Sequence, residues 1–187
     1  MLPIAIVIAA LLSCSSATQT TTQPTDTAEC GTERWHVKSL ADADTSLIDF
    51  ATIHPSTVAA EIAIPKPTSP DSRLQIERDV IEVSAHLTSY KREDDGDLHL
   101  VLQDDSGQTM IAEIPSATCS PANRTSHAGQ YATAAQWIKD HVGNPTSSFK
   151  TCDVAVTVRG VRFFDFIHGQ RGVAVNGVEV HPVLIIQ

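Results

Sequence analysis

Residues 81–114 read IEVSAHLTSYKREDDGDLHLVLQDDSGQTMIAEI, and the fold is decided here. Ile81, Val83, Ala85 and Leu87 alternate with Glu82, Ser84, His86 and Thr88, the period of two of a half-buried strand. The acidic turn Glu93 to Asp97 follows, with Gly96 available for a positive φ. Leu98, Leu100 and Leu102 then alternate with His99, Val101 and Gln103. A second turn, Asp104 to Gly107, leads to Met110, Ala112 and Ile114, and Pro115 ends the run. The pattern predicts three antiparallel strands in a meander. Asp and Gly serve such turns without an ion, and neither turn matches an EF-hand loop.

Downstream the period changes. Tyr131, Ala135, Ile138 and Val142 recur at helical spacing over Ser126 to His141, and Gly143 and Pro145 supply a stop. Val154, Val156 and Val158 restore the alternation, and Gly160 marks a bulge or bend before Val161, Phe163, Phe164 and Phe166. The loop HGQRGVAVNG (168–177) leads to a last strand through Val178, Val180 and Val183 to Ile186. The order β-β-β-α-β-β, with a long first strand, matches a five-stranded OB-fold-like Greek-key barrel. A β-sandwich needs about seven strands and no central helix. The expected fold class is therefore mainly β with one helix, over residues 76–187.

Upstream, residues 30–75 read as an N-terminal extension packed on the barrel. Trp35 to Leu40 suggests a short strand. Ser56 to Ile64 suggests a short helix capped by Ser56 or Thr57. The prolines Pro65, Pro67 and Pro70 force an extended join. Residues 14–29 form a Thr-rich tether that cannot bury enough surface to order itself. Residues 1–13 read as a signal peptide, because the apolar run from Leu2 to Leu12 is too short to span a bilayer. Leu11-Leu12-Ser13-Cys14 resembles a bacterial lipobox, which implies lipidation of Cys14 and a membrane anchor. The rival reading is cleavage after Ala17 and a soluble secreted chain. Both place the mature protein outside the cytoplasm, as an envelope lipoprotein facing the periplasm or exterior or as a free exported protein.

The chain has 187 residues, 42% hydrophobic and 19% charged, with a net charge of −9, a foldable composition. That charge argues against a nucleic-acid partner, as does the lack of aromatic platforms beside basic residues. There are four cysteines: Cys14, Cys30, Cys119 and Cys152. With Cys14 lipidated, three remain for one bridge. Cys119–Cys152 would close the helical excursion, and Cys30–Cys119 would staple the extension to the barrel. No zinc-type cysteine spacing exists.

The stretches CGTERWHVKSLADAD, AIPKPTSP, SAHLTSYKREDDGDLHLVLQDDSGQTMIAEIPSATC and VRGVRFFDFIHGQRGVAVNGVEVHPVLII resemble a family of secreted bacterial hypothetical proteins with an OB-like barrel. The resemblance implies a shared fold, with residues 30–75 part of one unit with the barrel. It implies no activity.

The densest polar group is the last hairpin: Asp165, His168, Gln170, Arg171, Asn176, Glu179 and His181. Glu179 and His181 are two apart on a strand and share a face. His99 and Glu113 should project from one side of neighbouring strands, where OB-folds bind ligands. One reading is a polar pocket for a metal or phosphate using His168, His181 and Asp165. The plainer reading is that Gln170 and Asn176 bond loop backbone and His181 anchors its strand. Residues 150–181 carry a net +1 against −10 elsewhere, which would suit an anionic group. No nucleophile elbow, P-loop or dinucleotide motif is present, and no cofactor is expected. The favoured function is a non-enzymatic envelope binding module for an unidentified ligand or partner protein. The alternatives are a metal-dependent, nuclease-like hydrolase using Asp165, His168, His181 and Glu113, and a structural envelope lipoprotein.

Overall fold

Alternation of apolar and polar residues builds the meander in the computed structural model, which describes residues 30–68 and 71–187. The signal segment, Cys14 and the tether lie outside the described residues. Three strands follow one another as read: β2 (Val80–Arg92), β3 (Leu98–Gln103) and β4 (Thr109–Ile114), numbered after the upstream strand β1 (Ile53–Ser56). The long helix, α3 (Ala128–His141), comes next, then β5 (Lys150–Phe164) and β6 (Val178–Ile186). Two short helices lie upstream, α1 (Trp35–Lys38) and α2 (Val58–Ile62).

The protein is mainly β, with six strands in one sheet in the order β1-β2-β3-β4-β6-β5. The expected count of five is corrected by β1, which runs parallel to β2 over Val80 to Val83. β2 can take so many neighbours because it is long. Its first half pairs with β1 and its second half with β3, while β5 runs along the other edge from Val80 to Tyr90. Both the β3 and β5 registers shift between Leu87 and Ser89, an extra residue that bends and twists β2. β4 and β6 pair in parallel through Ile111 with Glu179 and Ala112 with Val180. Gly160 is required where β5 meets β6: a Cβ there would lie 2.2 Å from the Pro182 carbonyl oxygen.

The two faces of the sheet differ in chemistry. Leu100, Leu102, Met110, Ala112 and Val180 are fully buried in the apolar core, together with Tyr131 and Ile138 of α3. The alternate residues of the same strands, His99, Glu113, Glu179 and His181, face the other way, and Asp97, just before β3, lies beside His181.

The extension covers part of that second face. Trp35 to Leu40 is not a strand: Glu33 and Arg34 take left-handed φ of 42° and 58°, and the chain then closes into the single turn α1. This turn buries Trp35 and Val37, whose i, i+2 spacing mimics strand alternation. Thr57 caps α2 by accepting the Ala60 N–H at 3.1 Å. Trp35 Nε1 donates to the Ser120 carbonyl at 2.8 Å, and the Tyr131 hydroxyl donates to the Ser39 carbonyl at 3.0 Å. Arg34 grips Glu77 at 2.9 and 2.5 Å. Arg162 of β5 grips Glu61 of α2 at 2.7 and 3.0 Å and also bonds Asp79.

The disulfide is Cys30–Cys119. The alternative bridge to Cys152 does not form, because Cys152 lies on β5 beside β2, where its thiol donates to the Leu87 carbonyl at 3.2 Å. Among the described residues no helix is long and apolar enough to cross a membrane.

The buried Arg162–Glu61 pair yields a stability prediction. Glu61→Ala removes the buried carboxylate and leaves the guanidinium paired only with the part-exposed Asp79, and should cost roughly 3 kcal/mol in urea unfolding. Arg159→Ala, which breaks the part-exposed pair with Glu82, should cost less than about 1 kcal/mol. Equal losses would show that the extension is not held by burial of the Arg162 pair.

Candidate functional site

The β3–β4 register sets His99 directly opposite Glu113. The parallel β4–β6 pairing then brings Glu179 and His181 alongside Glu113. His99 Nε2 donates to the Arg171 carbonyl at 2.8 Å. His99 Nδ1 faces Glu113 Oε1 at 3.1 Å and Glu93 Oε1 at 3.3 Å. Both ring nitrogens face acceptors, which favours the protonated ring. Its pKa is raised, because the Glu113 carboxylate and the Arg171 carbonyl outweigh the opposing effect of burial.

His181 is fully buried behind it. Nδ1 lies 3.2 Å from Glu113 Oε2 and 3.9 Å from Glu179 Oε2, and Nε2 lies 3.8 Å from Asp97 Oδ2. Neither nitrogen has a hydrogen-bond partner among the described residues, and neither does Glu179 Oε2. Burial alone would lower the His181 pKa, but Glu113 and Glu179 push it up to about 9. Burial pushes the Asp97 carboxyl up to about 8. Burial also raises Glu179, with Glu113 and Asp165 adding repulsion. Glu113 goes the other way: the two histidines overcome its burial and hold it well below the carboxylate range. Lys38, reaching in from α1, donates to Asp165 Oδ2 at 2.9 Å.

An open cleft of about 560 Å³ reaches this cluster from solvent. His99 and Glu113 form part of its lining, together with Glu93, Asp94 and Asp95 of the acidic turn, Glu33, and Asp165. Against these six carboxylates stand Lys38, Lys91 and Arg171, with the two histidines His99 and His168, so carboxylates still outnumber basic groups. Arg171 and Lys91 lie over the Phe149 ring, at 4.5 and 5.0 Å from its centroid. A larger groove of about 900 Å³ between α3 and the acidic turn has no histidine in its lining.

The sequence candidates separate into distinct groups. Glu113, His99, Glu179 and His181 come together. Asp165 lines the cleft but is engaged by Lys38, and it accepts the Phe166 N–H at 2.8 Å. His168 is exposed on the rim. Gln170 braces the loop, accepting the His168 N–H at 2.9 Å and donating to the Phe166 carbonyl at 2.7 Å. Asn176 donates to the carbonyls of Glu61 and Ile64, both at 2.9 Å, tying the loop to the extension. The basic residues read as an anion receptor are largely engaged: Arg159 with Glu82, and Arg162 with Glu61 and Asp79. Lys38 joins the site unanticipated, and Glu93 and Asp97 join it from an acidic turn that the sequence reads as turn chemistry needing no ion. The spacing of Asp97 and His99, two apart where the turn runs into β3, was the available signal for Asp97.

No protein-family model matches the chain, and no curated protein matches it.

The shifted groups give a pH dependence. A group whose folded pKa lies above its unfolded value stabilises fully below the unfolded value, and that stabilisation is lost as pH rises to the folded value. The window runs from 6.5 to about 9 for His181 and from 3.8 to about 8 for Asp97. Glu113 acts in the opposite sense, its contribution lost as pH falls below its ordinary range. EDTA-treated protein should lose stability in urea unfolding between pH 6.5 and 9. Asp97→Asn keeps the acceptor for the Ser116 N–H and should flatten the decline between pH 4 and 8. Wild-type stability that climbs across the upper window would contradict this arrangement of charges.

Proposed function

We propose that this chain is an exported, membrane-anchored binding module built on an OB-fold-like barrel, and that it takes a cationic ligand in the cleft floored by His99 and Glu113. The observation that carries the reading is the excess of carboxylates over bases in the cleft lining. The pairings β2–β3, β3–β4, β4–β6, β6–β5 and β5–β2 run in a circuit, with α3 between β4 and β5 in the chain, and this supports the barrel reading. The cleft lies on the outward face of β3 and β4, the region where OB-folds bind ligands. The disulfide supports an oxidising compartment. The apolar run ending in Leu12-Ser13-Cys14 supports lipid anchoring, and the resemblance to secreted bacterial proteins points the same way.

Two measurements check these statements. Expression of the full chain in a bacterium with a labelled fatty acid should label the wild type and not Cys14→Ser; equal labelling removes the anchor. For the cleft, the trivalent cation spermidine should shift amide resonances of residues 93–95 and 168–171, and Asp94→Asn should weaken the response. Inorganic phosphate should leave these resonances in place. The reverse pattern, phosphate acting and spermidine not, would overturn the cationic reading.

A further inference from the structure

Two of the three carboxylates beside His181 have one oxygen held by a protein donor and the other turned toward the ring. Glu113 Oε1 is held by His99 Nδ1 at 3.1 Å, which leaves Oε2 at 3.2 Å from His181 Nδ1. Asp97 Oδ1 accepts the Ser116 N–H at 2.8 Å, which leaves Oδ2 at 3.8 Å from His181 Nε2. His99 and His181 contrast sharply. Both nitrogens of His99 are hydrogen-bonded, whereas neither nitrogen of the fully buried His181 is. Buried polar atoms are nearly always bonded, so two such nitrogens facing three carboxylates need a reason.

From this geometry we infer that Asp97, Glu113 and His181 form a binding site for one divalent first-row transition ion, Zn²⁺-like in preference. One ligand atom from each of the three lies within 4.8 Å of the others. Ligands around a four-coordinate ion at about 2.1 Å stand about 3.4 Å apart, so modest closure of the side chains supplies three ligands and leaves the fourth position to water or a further carboxylate. Glu179 Oε2, also unpartnered and 3.9 Å from Nδ1, stands beside the site. His99 and the Ser116 N–H then act as the outer partners that orient the ligating carboxylates, an arrangement usual around bound metals. An imidazole ligand selects transition ions over Ca²⁺ and Mg²⁺, which prefer oxygen alone. Glu113 lines the cleft, so the ion enters there, and the inference rests on the reading of that cleft as a cation site.

The test uses the full chain stripped with EDTA and titrated calorimetrically with Zn²⁺, Mg²⁺ or Ca²⁺ in separate experiments. One Zn²⁺ should bind per chain, with Mg²⁺ and Ca²⁺ at least about 100-fold weaker. His181→Gln and Glu113→Gln should each weaken Zn²⁺ by about 100-fold or more, and His99→Gln by about 10–100-fold. His168→Ala, on the exposed rim, should leave binding unchanged. Because substitution at a fully buried position also threatens folding, the wild type carries its own readout. In a long-range ¹H–¹⁵N spectrum, Zn²⁺ should move one ring nitrogen of His181 from its imidazolium position to a metal-bound one, leave the other protonated on a neutral ring, and leave the nitrogens of His168 in place. Three results overturn the site: no stoichiometric Zn²⁺ binding, binding that depends on His168 and not His181, or a His181 ring that stays an imidazolium at saturating Zn²⁺. Spermidine shifts in the cleft with His181 untouched by Zn²⁺ would remove the metal site and leave the cation cleft. Silence from both probes would remove both.

Discussion

Everything in this protein hangs on β2. It is the one strand hydrogen-bonded to β5 along one edge and to both β1 and β3 along the other. A strand of thirteen residues can do this only if it bends, and the irregularity at Leu87–Ser89 lets its two halves serve different neighbours. The first half receives the extension through β1, and the second half starts the meander. The pairing with β5 therefore ties the earliest strands to the latest. It also sets β6 beside β4, because β6 pairs with β5 on one side and β4 on the other. Without that parallel contact Glu179 and His181 would stand apart from Glu113.

The second constraint follows from the two-faced sheet. Apolar residues of β3, β4 and β6 pack under α3, so their alternate residues must face outward. On the outward face the chain places ionisable residues where a covered strand would ordinarily carry Val or Ile. Covering such a face with protein withdraws water from charges, which is tolerated only when the charges are paired. The extension supplies the cover and some of the pairing: Lys38 reaches Asp165, while Arg34 packs over Phe163 with its guanidinium carbon 4.6 Å from the ring centroid. Phe163 in turn meets the His181 ring edge-on at 5.6 Å. The extension stays in place through its own buried ion pairs and the Cys30–Cys119 bridge, so its fold and the site's electrostatics are linked.

Periodic segments were legible in the sequence because burial writes itself as period two or 3.6. The meander, the helix ending at His141 and the last two strands all follow from alternation. The extension was not legible in that way. A single helical turn at Trp35–Lys38 buries only Trp35 and Val37, a pattern that two residues of a strand would also give. Strand β1 is four residues long and contains Pro55, so propensity argues against it, and its edge position makes it possible. The pairing of His99 with Glu113 could be counted from the hairpin turn, and Glu179 with His181 from spacing. What joins the two pairs is the parallel β4–β6 contact, a long-range event with no local signature. Asp97 was hidden for a different reason: in an EDDGD turn, every acidic residue reads as turn chemistry.

Conflict between local rules and the observed residues is itself informative. An apolar cluster in place of Asp97, Glu113, Glu179 and His181 would leave no charge to desolvate and would commonly be as stable or more so. The chain instead keeps a fully buried imidazole whose nitrogens lack hydrogen bonds, next to carboxyls that burial has pushed upward. Turn and loop residues nearby show the opposite economy: Gln170 and Asn176 have their amide groups bonded to backbone, and Asp165 is paired. A fold that satisfies its loops this completely and leaves the centre of one sheet face under-satisfied has concentrated its electrostatic strain at one place. That place opens through Glu113 to the acidic cleft, where the proposed cation would offset the buried carboxylates.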